Sequence, residues 1–194
     1  MDGGDWHLPI IDTPSRVRFD RRAPGSNLAA PGIADYRFAA PVEIEVNVTY
    51  EVTVKDVPPR PTAVIAAETT WSEFPSLWGV LLGQVWACLR SGGINGGCPN
   101  VMLYLDDTPR VEVGVELTQP CVLTGPVVAS KLPAGQAAFT VHCGSYRGLA
   151  AAHRAVHNWC EEQGFALAGP RWEIYGPHLS DPSQLSTEIY WLLS

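Results

Sequence analysis

The sequence predicts an α+β fold made of two tandem, duplicated strand–helix–strand–strand modules, and three observations indicate it. Segments that alternate apolar and polar residues are interspersed with two long segments of helical periodicity. These elements occur in the same order in both halves of the chain. Short matches also recur between the halves, since residues 57–64 (VPPRPTAV) resemble residues 132–139 (LPAGQAAF). We therefore expect the two modules to pack side by side with pseudo-two-fold symmetry.

The first helix is predicted within residues 71–93, WSEFPSLWGVLLGQVWACLRSGG. Pro75 suits the first turn of a helix, and a pair of glycines at positions 92 and 93 suits its end. Apolar residues recur about every four positions, as one buried helix face requires. They are Leu77, Leu81, Val85 and Leu89, joined by Trp78, Leu82 and Trp86.

The second helix is predicted within residues 145–165, SYRGLAAAHRAVHNWCEEQGF. Ser145 is a suitable N-cap, and Gly164 is a suitable C-terminal stop. Its apolar stripe includes His153, which we expect to be a core residue with its hydrogen bonds satisfied. His153 and His157 lie one turn apart, but without a third ligand they predict no metal site. The stripe consists of Leu149, Ala152, His153, Val156 and Cys160.

The strands and turns complete two modules and leave a distinct N-terminal segment. Residues 1–45 are rich in Pro, Gly and Arg and lack periodicity, so we expect an extended or partly disordered arm. The folded domain is expected over residues 46–194, with modules at 46–120 and 126–194. Strands are predicted at 47–57, 62–68, 100–105, 110–118, on both sides of the PAG at 133–135, at 171–175 and at 187–193.

Composition and charge narrow the class of protein. The chain has 194 residues and a formal net charge of −7, which disfavours contact with a phosphate backbone, so we expect no direct binding to nucleic acid. Its five cysteines form no C-x-x-C pair, which favours reduced cysteines and a cytoplasmic location. No apolar run is long enough to span a membrane, and the N-terminus does not resemble a signal peptide.

Glutamates within two apolar strands suggest a functional site. The segments RWEIY and TEIYWLL each place one glutamate, Glu173 or Glu188, among large apolar residues. Because side chains alternate along a strand, we expect the apolar set to face the helices. That set is Trp172, Ile174, Ile189 and Trp191. The alternate residues Glu173, Tyr175, Glu188 and Tyr190 are then expected to share one cleft.

The first module shows the same alternation. We expect Val101, Leu103 and Leu105 to oppose Met102 and Tyr104 and to pack beneath the helix. In the next strand, the valines at 111, 113 and 115 should oppose Glu112, Gly114 and Glu116. Two alternatives stay open: Glu112 is a surface residue of an open sheet, and Trp78 is a core residue. The expected cleft lining is Trp71, Trp78, Met102, Tyr104, Glu112, Tyr146, Glu173, Tyr175, Glu188 and Tyr190.

The second half of the chain resembles the GyrI-like proteins, which share the AraC-type effector-binding domain. The resemblance rests on KLPAGQAAFTVHCGSYRGLAAAH and AGPRWEIYGPHLSDPSQLSTEIYWLL. His142, Gly144, Tyr146 and Gly148 match the family pattern, while Ser145 replaces its usual proline. The segments LYLDD and VEVGVEL in the first half also match, so the resemblance covers residues 46–194.

The resemblance implies two strand–helix–strand–strand modules with a ligand cleft between them. It also implies a binding function, with a hydrolase as the alternative. Family members bind bulky aromatic and often cationic small molecules, as sensors or as stand-alone sequestering proteins. Glu173 and Glu188 match the family's pocket glutamates. A subset of stand-alone members is reported to hydrolyse the cyclopropane ring of DNA-alkylating natural products. In that case Glu173 would be a general base and Glu188 would tune it, while Tyr175, Tyr190 or Tyr104 would supply the acid or a hydrogen bond. No cofactor or metal is implied, and a regulator protein or a second copy is a possible partner.

Overall fold

The computed structural model describes residues 49–194, which form one antiparallel eight-stranded sheet and two α-helices. The predicted arm at 1–45 lies outside the described residues. The α+β class and the element order are confirmed, although several element ends differ by a few residues. In chain order the elements are β1 (Thr53–Val57), β2 (Arg60–Glu68), α1 (Phe74–Ser91), β3 (Asn100–Tyr104), β4 (Arg110–Glu116), β5 (Val128–Leu132), β6 (Gly135–Cys143), α2 (Leu149–Gln163), β7 (Leu167–Tyr175) and β8 (Ser186–Leu193).

The strand order shows how the two halves are arranged. It is β1-β6-β8-β7-β3-β4-β2-β5, with every neighbouring pair antiparallel. Read outward from the centre, β7-β8-β6 of the second half corresponds to β3-β4-β2 of the first half. This order is consistent with pseudo-two-fold symmetry, and the duplication itself stays a prediction.

Both helices have the predicted buried stripes. In α1, Leu81, Val85 and Leu89 are buried, and Leu77 and Trp78 pack at the edge of the same cluster. In α2, every residue of the predicted stripe is buried, and Gly164 ends the helix in the left-handed conformation at φ 75°. Within residues 49–194, no helix is both long and apolar enough to cross a membrane.

A histidine supports the start of α2. His142 Nε2 lies 2.8 Å from the carbonyl oxygen of Ser145, and the Tyr50 hydroxyl lies 2.9 Å from His142 Nδ1. Gly148 packs flat on the imidazole, since a Cβ there would lie 2.4 Å from the ring. The matched H-x-G-x-x-x-G residues therefore have a structural role.

The sheet is strongly curved, and two short connections require this. Pro58 and Pro59 alone join β1 to β2, and Pro133 and Ala134 alone join β5 to β6. In each case five strands lie between the joined strands in the sheet. The two edges must therefore approach each other, so the face without helices is concave and encloses its own apolar core. We call the two sides the helix face and the concave face.

The strand register corrects the prediction of which side chains of the central strands β7 and β3 face the helices. Directly opposed residues share a face, and Glu173 opposes Ile189, while Trp172 opposes Tyr190. Glu173 and Tyr175 therefore lie on the helix face, with Ile189 and Trp191. The prediction was right for β8 at positions 189 and 191, but wrong for Trp172 and Ile174 in β7.

Strand β3 shows the same reversal. Met102 and Tyr104 pack beneath α1, whereas Val101 and Leu103 belong to the concave core with Trp172. The valines of β4 lie beneath α1 as predicted. The physical reason is that the curved sheet has a second apolar core, so the more apolar side of a central strand need not face a helix.

Gly114 provides a test of this close packing. A Cβ at Gly114 would lie 2.0 Å from the carbonyl oxygen of Ala63 on β2, whereas a Cβ at Gly83 in α1 would contact nothing within 4 Å. We expect Gly114→Ala to lower the free energy of unfolding by about 1–3 kcal/mol or more. The control Gly83→Ala should raise it by about 0.5–1 kcal/mol, because alanine favours helix. Urea denaturation measures both, and equal effects would contradict the predicted close approach.

Candidate ligand-binding site

Glu173 lies at the centre of the helix face. Its side chain is buried, with 1% of the residue exposed, and it opposes Met102 on β3 and Ile189 on β8. A carboxylate so deeply buried is costly unless donors surround it. The neighbouring elements supply those donors.

Three side chains form a hydrogen-bonded series with the carboxylate. His153 Nε2 of α2 lies 2.7 Å from Glu173 Oε1, and the hydroxyl of Tyr175 donates to Oε2. Trp191 Nε1 of β8 donates in turn to His153 Nδ1 at 3.0 Å. The predicted core role of His153 is confirmed, because both ring nitrogens have partners. One of those partners, however, is the carboxylate of the site.

Aromatic rings from α1, from β3 and from the segments just before the two helices surround this series. Tyr175 contacts Trp78 of α1 at 6.1 Å and Tyr146, at the start of α2, at 5.5 Å between ring centroids. Tyr104 contacts Trp71 at 5.8 Å and the His153 ring at 6.3 Å. Tyr104 is buried, whereas Tyr175, Trp71, Trp78 and Tyr146 are half-buried. The rings therefore connect the carboxylate to the surface.

Arg171 lies two residues before Glu173, on the same face. Its Nη1 hydrogen-bonds to Asp107 Oδ1 at 2.9 Å. The guanidinium carbon lies 5.0 Å from the centroid of the Trp191 ring and 5.2 Å from that of Tyr104. Arg171 thus forms an ion pair with Asp107 and lies against two rings of the site.

Burial keeps the two tyrosines of the site protonated. It raises the pKa of Tyr104 well above its usual value, and the Glu173 charge raises it further against the opposing effect of Arg171. Burial likewise raises the pKa of Tyr175, with the Glu173 charge as the second cause. Both phenols are hydrogen-bond donors at neutral pH.

The predicted lining residues divide between the two faces of the sheet. The helix face brings together Trp71, Trp78, Met102, Tyr104, Tyr146, Glu173 and Tyr175. The other three, Glu112, Glu188 and Tyr190, lie on the concave face. The prediction that Glu173 and Glu188 share a single cleft was therefore wrong, because the two residues lie on opposite faces of the sheet.

The concave face has its own polar contacts. Glu188 accepts a hydrogen bond from Tyr190 at 2.8 Å, and Tyr190 stacks on Trp172 at 5.1 Å between centroids. Burial and the Glu188 bond raise the pKa of Tyr190 to about 12. Glu112 is half-buried, and its Oε2 has no hydrogen-bond partner among the described residues.

Sequence reasoning missed Arg171, His153 and Trp191 as site residues. His153 and Trp191 were predicted to face the core, which is true, but that core includes the site. The signal that could have identified them is a side chain able to hydrogen-bond within an otherwise apolar stripe, as His153 is in α2 and Trp191 is in β8. Among residues 49–194, no group of three or more His, Cys, Asp or Glu side chains is placed to hold a metal.

A buried carboxylate beneath aromatic rings, between two helices on one sheet, defines this chain as a small-molecule-binding domain. It belongs to the GyrI-like small molecule binding domain family, whose model matches residues 50–194. No curated protein sequence matches the chain significantly.

Solved structures share the fold at low sequence identity. The C-terminal domain of EcmrR has a TM-score of 0.62 and 19% identity, and the match covers 76% of this chain and 99% of that domain. The chain spans 57% of EcmrR in its complex with DNA. SAV2435 bound to tetraphenylphosphonium has a TM-score of 0.53 and 13% identity, covering 74% of this chain and 94% of that one. An uncharacterized conserved protein from Listeria innocua gives the same score and identity, covering 74% and 92%.

The raised pKa of Tyr190 predicts how stability changes in alkali. The unfolded chain loses this phenolic proton near pH 10, about two pH units below the folded chain, whose pKa is about 12. The folded state thus loses stability as pH rises from about 10 to 12. We expect the urea midpoint of Tyr190→Phe to fall less steeply than that of the wild type in this range. Identical slopes would contradict the prediction, and parallel behaviour at pH 7–9 is the internal control.

Proposed function

We propose that this domain binds a bulky aromatic cation whose charge lies against Glu173. The observation that carries the proposal is a carboxylate with 1% exposure inside an aromatic cluster. A charge removed from water attracts an opposite charge more strongly than an exposed one does. The faces of Trp and Tyr rings add cation–π attraction of about 0.5–2 kcal/mol.

The half-buried Tyr175 is the proposed point of entry. Its ring lies between Trp78 and Tyr146, and its hydroxyl covers Glu173 Oε2. A ligand that displaces this ring would replace its contacts with the two flanking aromatic side chains. The same movement would free one carboxylate oxygen for the cationic centre. Trp71, which is half-buried, would then contact the outer part of a bulky ligand, and Met102 would lie beneath it beside Glu173.

The cellular role that this binding supports best is sequestration of a drug or toxin, and hence resistance to it, in the cytoplasm. The net charge of −7 disfavours direct contact with DNA. A regulator protein or a second copy of the chain could receive the binding signal. The fold shared with the EcmrR C-terminal domain is compatible with that arrangement.

Hydrolysis of an activated cyclopropane is the second candidate, and the contact between Tyr175 and Glu173 favours it. Glu173 would take a proton from water as the water oxygen bonds to a cyclopropane carbon. The breaking carbon–carbon bond would release its electron pair into the conjugated dienone, which becomes a phenolate. Tyr175, still protonated at neutral pH, would donate a hydrogen bond to the phenolate, and the proton taken up by Glu173 would return to it directly or through solvent.

Glu173→Gln tests the binding site. The glutamine can accept from His153 and donate to Tyr175, so we expect the fold to be retained while the charge is lost. We expect affinity for tetraphenylphosphonium, measured by calorimetry, to fall at least about tenfold, or about 1.4 kcal/mol. Glu188→Gln is the matched control, since it removes a tyrosine-bonded carboxylate from the concave face. Equal losses in both variants would contradict the proposed site.

Product mass separates the two candidate functions. Incubation with an activated cyclopropane should leave its mass unchanged if the domain only binds. A gain of one water that disappears in Glu173→Gln would establish hydrolysis instead. A gain of water that persists in this variant would exclude Glu173 as the base.

A further inference from the structure

We propose that His153, held in one tautomer by Trp191, is a positioning residue that keeps the charge of Glu173 available to a cation. It thereby sets the preference of the site for cationic over neutral ligands. The tautomer follows from the hydrogen bonds alone, whereas the effect on ligand choice rests on the proposed function.

The donor on Trp191 determines where the imidazole proton lies. An indole N–H can donate but cannot accept, so the His153 nitrogen that faces it must carry a lone pair. That nitrogen is Nδ1, at 3.0 Å from Trp191 Nε1. A neutral His153 therefore carries its proton on Nε2, where it points at Glu173 Oε1 at 2.7 Å. The histidine donates to the carboxylate without carrying a charge.

Protonation of His153 would break this arrangement. The imidazolium has a proton on both nitrogens, so its Nδ1–H would face the N–H of Trp191. Water has little access to separate them, because Trp191 is 6% exposed and His153 is 8% exposed. The charged form would therefore lose a buried hydrogen bond and place two donors in contact.

The other charged and titratable groups around His153 are few. From β7, Glu173 favours the imidazolium, whereas Arg171, whose guanidinium lies 5.0 Å over the Trp191 ring, disfavours it. Tyr104 of β3 presents a protonated phenol against the imidazole. On α2, His157 lies one turn away, with its ring 5.7 Å from that of Trp191. The described residues of β8 that face His153 carry no charge. Trp191 and the charge of Arg171 thus oppose the pull of Glu173, and Trp191 is the one of the two that hydrogen-bonds to His153.

The consequence is a carboxylate that keeps its charge for a ligand. If His153 were an imidazolium, it would form an ion pair with Glu173 and cancel the charge that attracts a cation. An ordinary histidine becomes charged below about pH 6.5. With Trp191 in place, we expect His153 to stay neutral and the charge of Glu173 to stay available to a cation.

Nitrogen NMR of the imidazoles tests the tautomer without any ligand. In the ¹⁵N-labelled full chain, His153→Gln assigns the His153 signals by their loss. We expect the Nε2–H tautomer in the wild type at about pH 7, and protonation of the imidazole at a higher pH in Trp191→Phe than in the wild type. Trp172→Phe is the matched control, since Trp172 is also buried but its Nε1 has no hydrogen-bond partner among residues 49–194. An imidazolium or an Nδ1–H tautomer in the wild type at pH 7 would overturn the inference, even if Trp191→Phe fails to fold.

Ligand affinity across the same pH range tests the functional consequence. The wild type and Trp172→Phe should each bind tetraphenylphosphonium with the same affinity at about pH 8 as at about pH 5.5. Trp191→Phe should lose about tenfold in affinity over this range, and His153→Gln, which donates to Glu173 but cannot be charged, should show no pH dependence. The neutral triphenylphosphine oxide should show no such loss in any variant. An affinity of Trp191→Phe that does not change with pH would overturn this inference but not the proposed function. Failure of the wild type to bind tetraphenylphosphonium would overturn the proposed function, and the NMR result would then decide the tautomer.

Discussion

The buried carboxylate of Glu173 is the constraint on which the rest of the site depends. A charge with 1% exposure must be surrounded by donors, and each donor here comes from a different place in the fold. His153 requires α2 to lie directly over β7, and Trp191 requires β8 to present its indole to the same imidazole. Tyr175 completes the set from the strand of Glu173 itself. One charged group thus determines how α2, β7 and β8 must fit together.

The two halves of the sheet contribute unequally to this site. Met102 of β3 directly opposes Glu173 of β7 across the centre of the sheet, and Tyr104 and Tyr175 occupy matching places near the strand ends. The frame is therefore similar on both sides, but only one side carries the carboxylate. Under the proposed function, this arrangement would suit a ligand with one cationic centre and a large apolar remainder. It also leaves the methionine, which is flexible and polarizable, to adapt to the shape of that remainder.

Much of the fold could be predicted because it follows from local patterns. The stripe of α2 from Leu149 to Cys160 and the stop at Gly164 are set by spacing and by backbone conformation. The β4 valines were placed correctly because the side opposite them carries two glutamates. The prediction failed at Trp172 and Val101, where both sides of a strand contain large apolar residues. There the alternation separates two sides but does not show which of them meets a helix.

The sequence by itself determined the elements, their order, the helix stripes and the family, because all of these depend on neighbouring residues or on short motifs. It also identified Glu173 and Tyr175 as unusual neighbours in an apolar strand. Only the tertiary structure decided that Glu173 and Glu188 lie on opposite faces, because strand register and sheet curvature arise from contacts between distant segments. The same contacts brought His153 and Trp191, which are far apart in the chain, to the carboxylate.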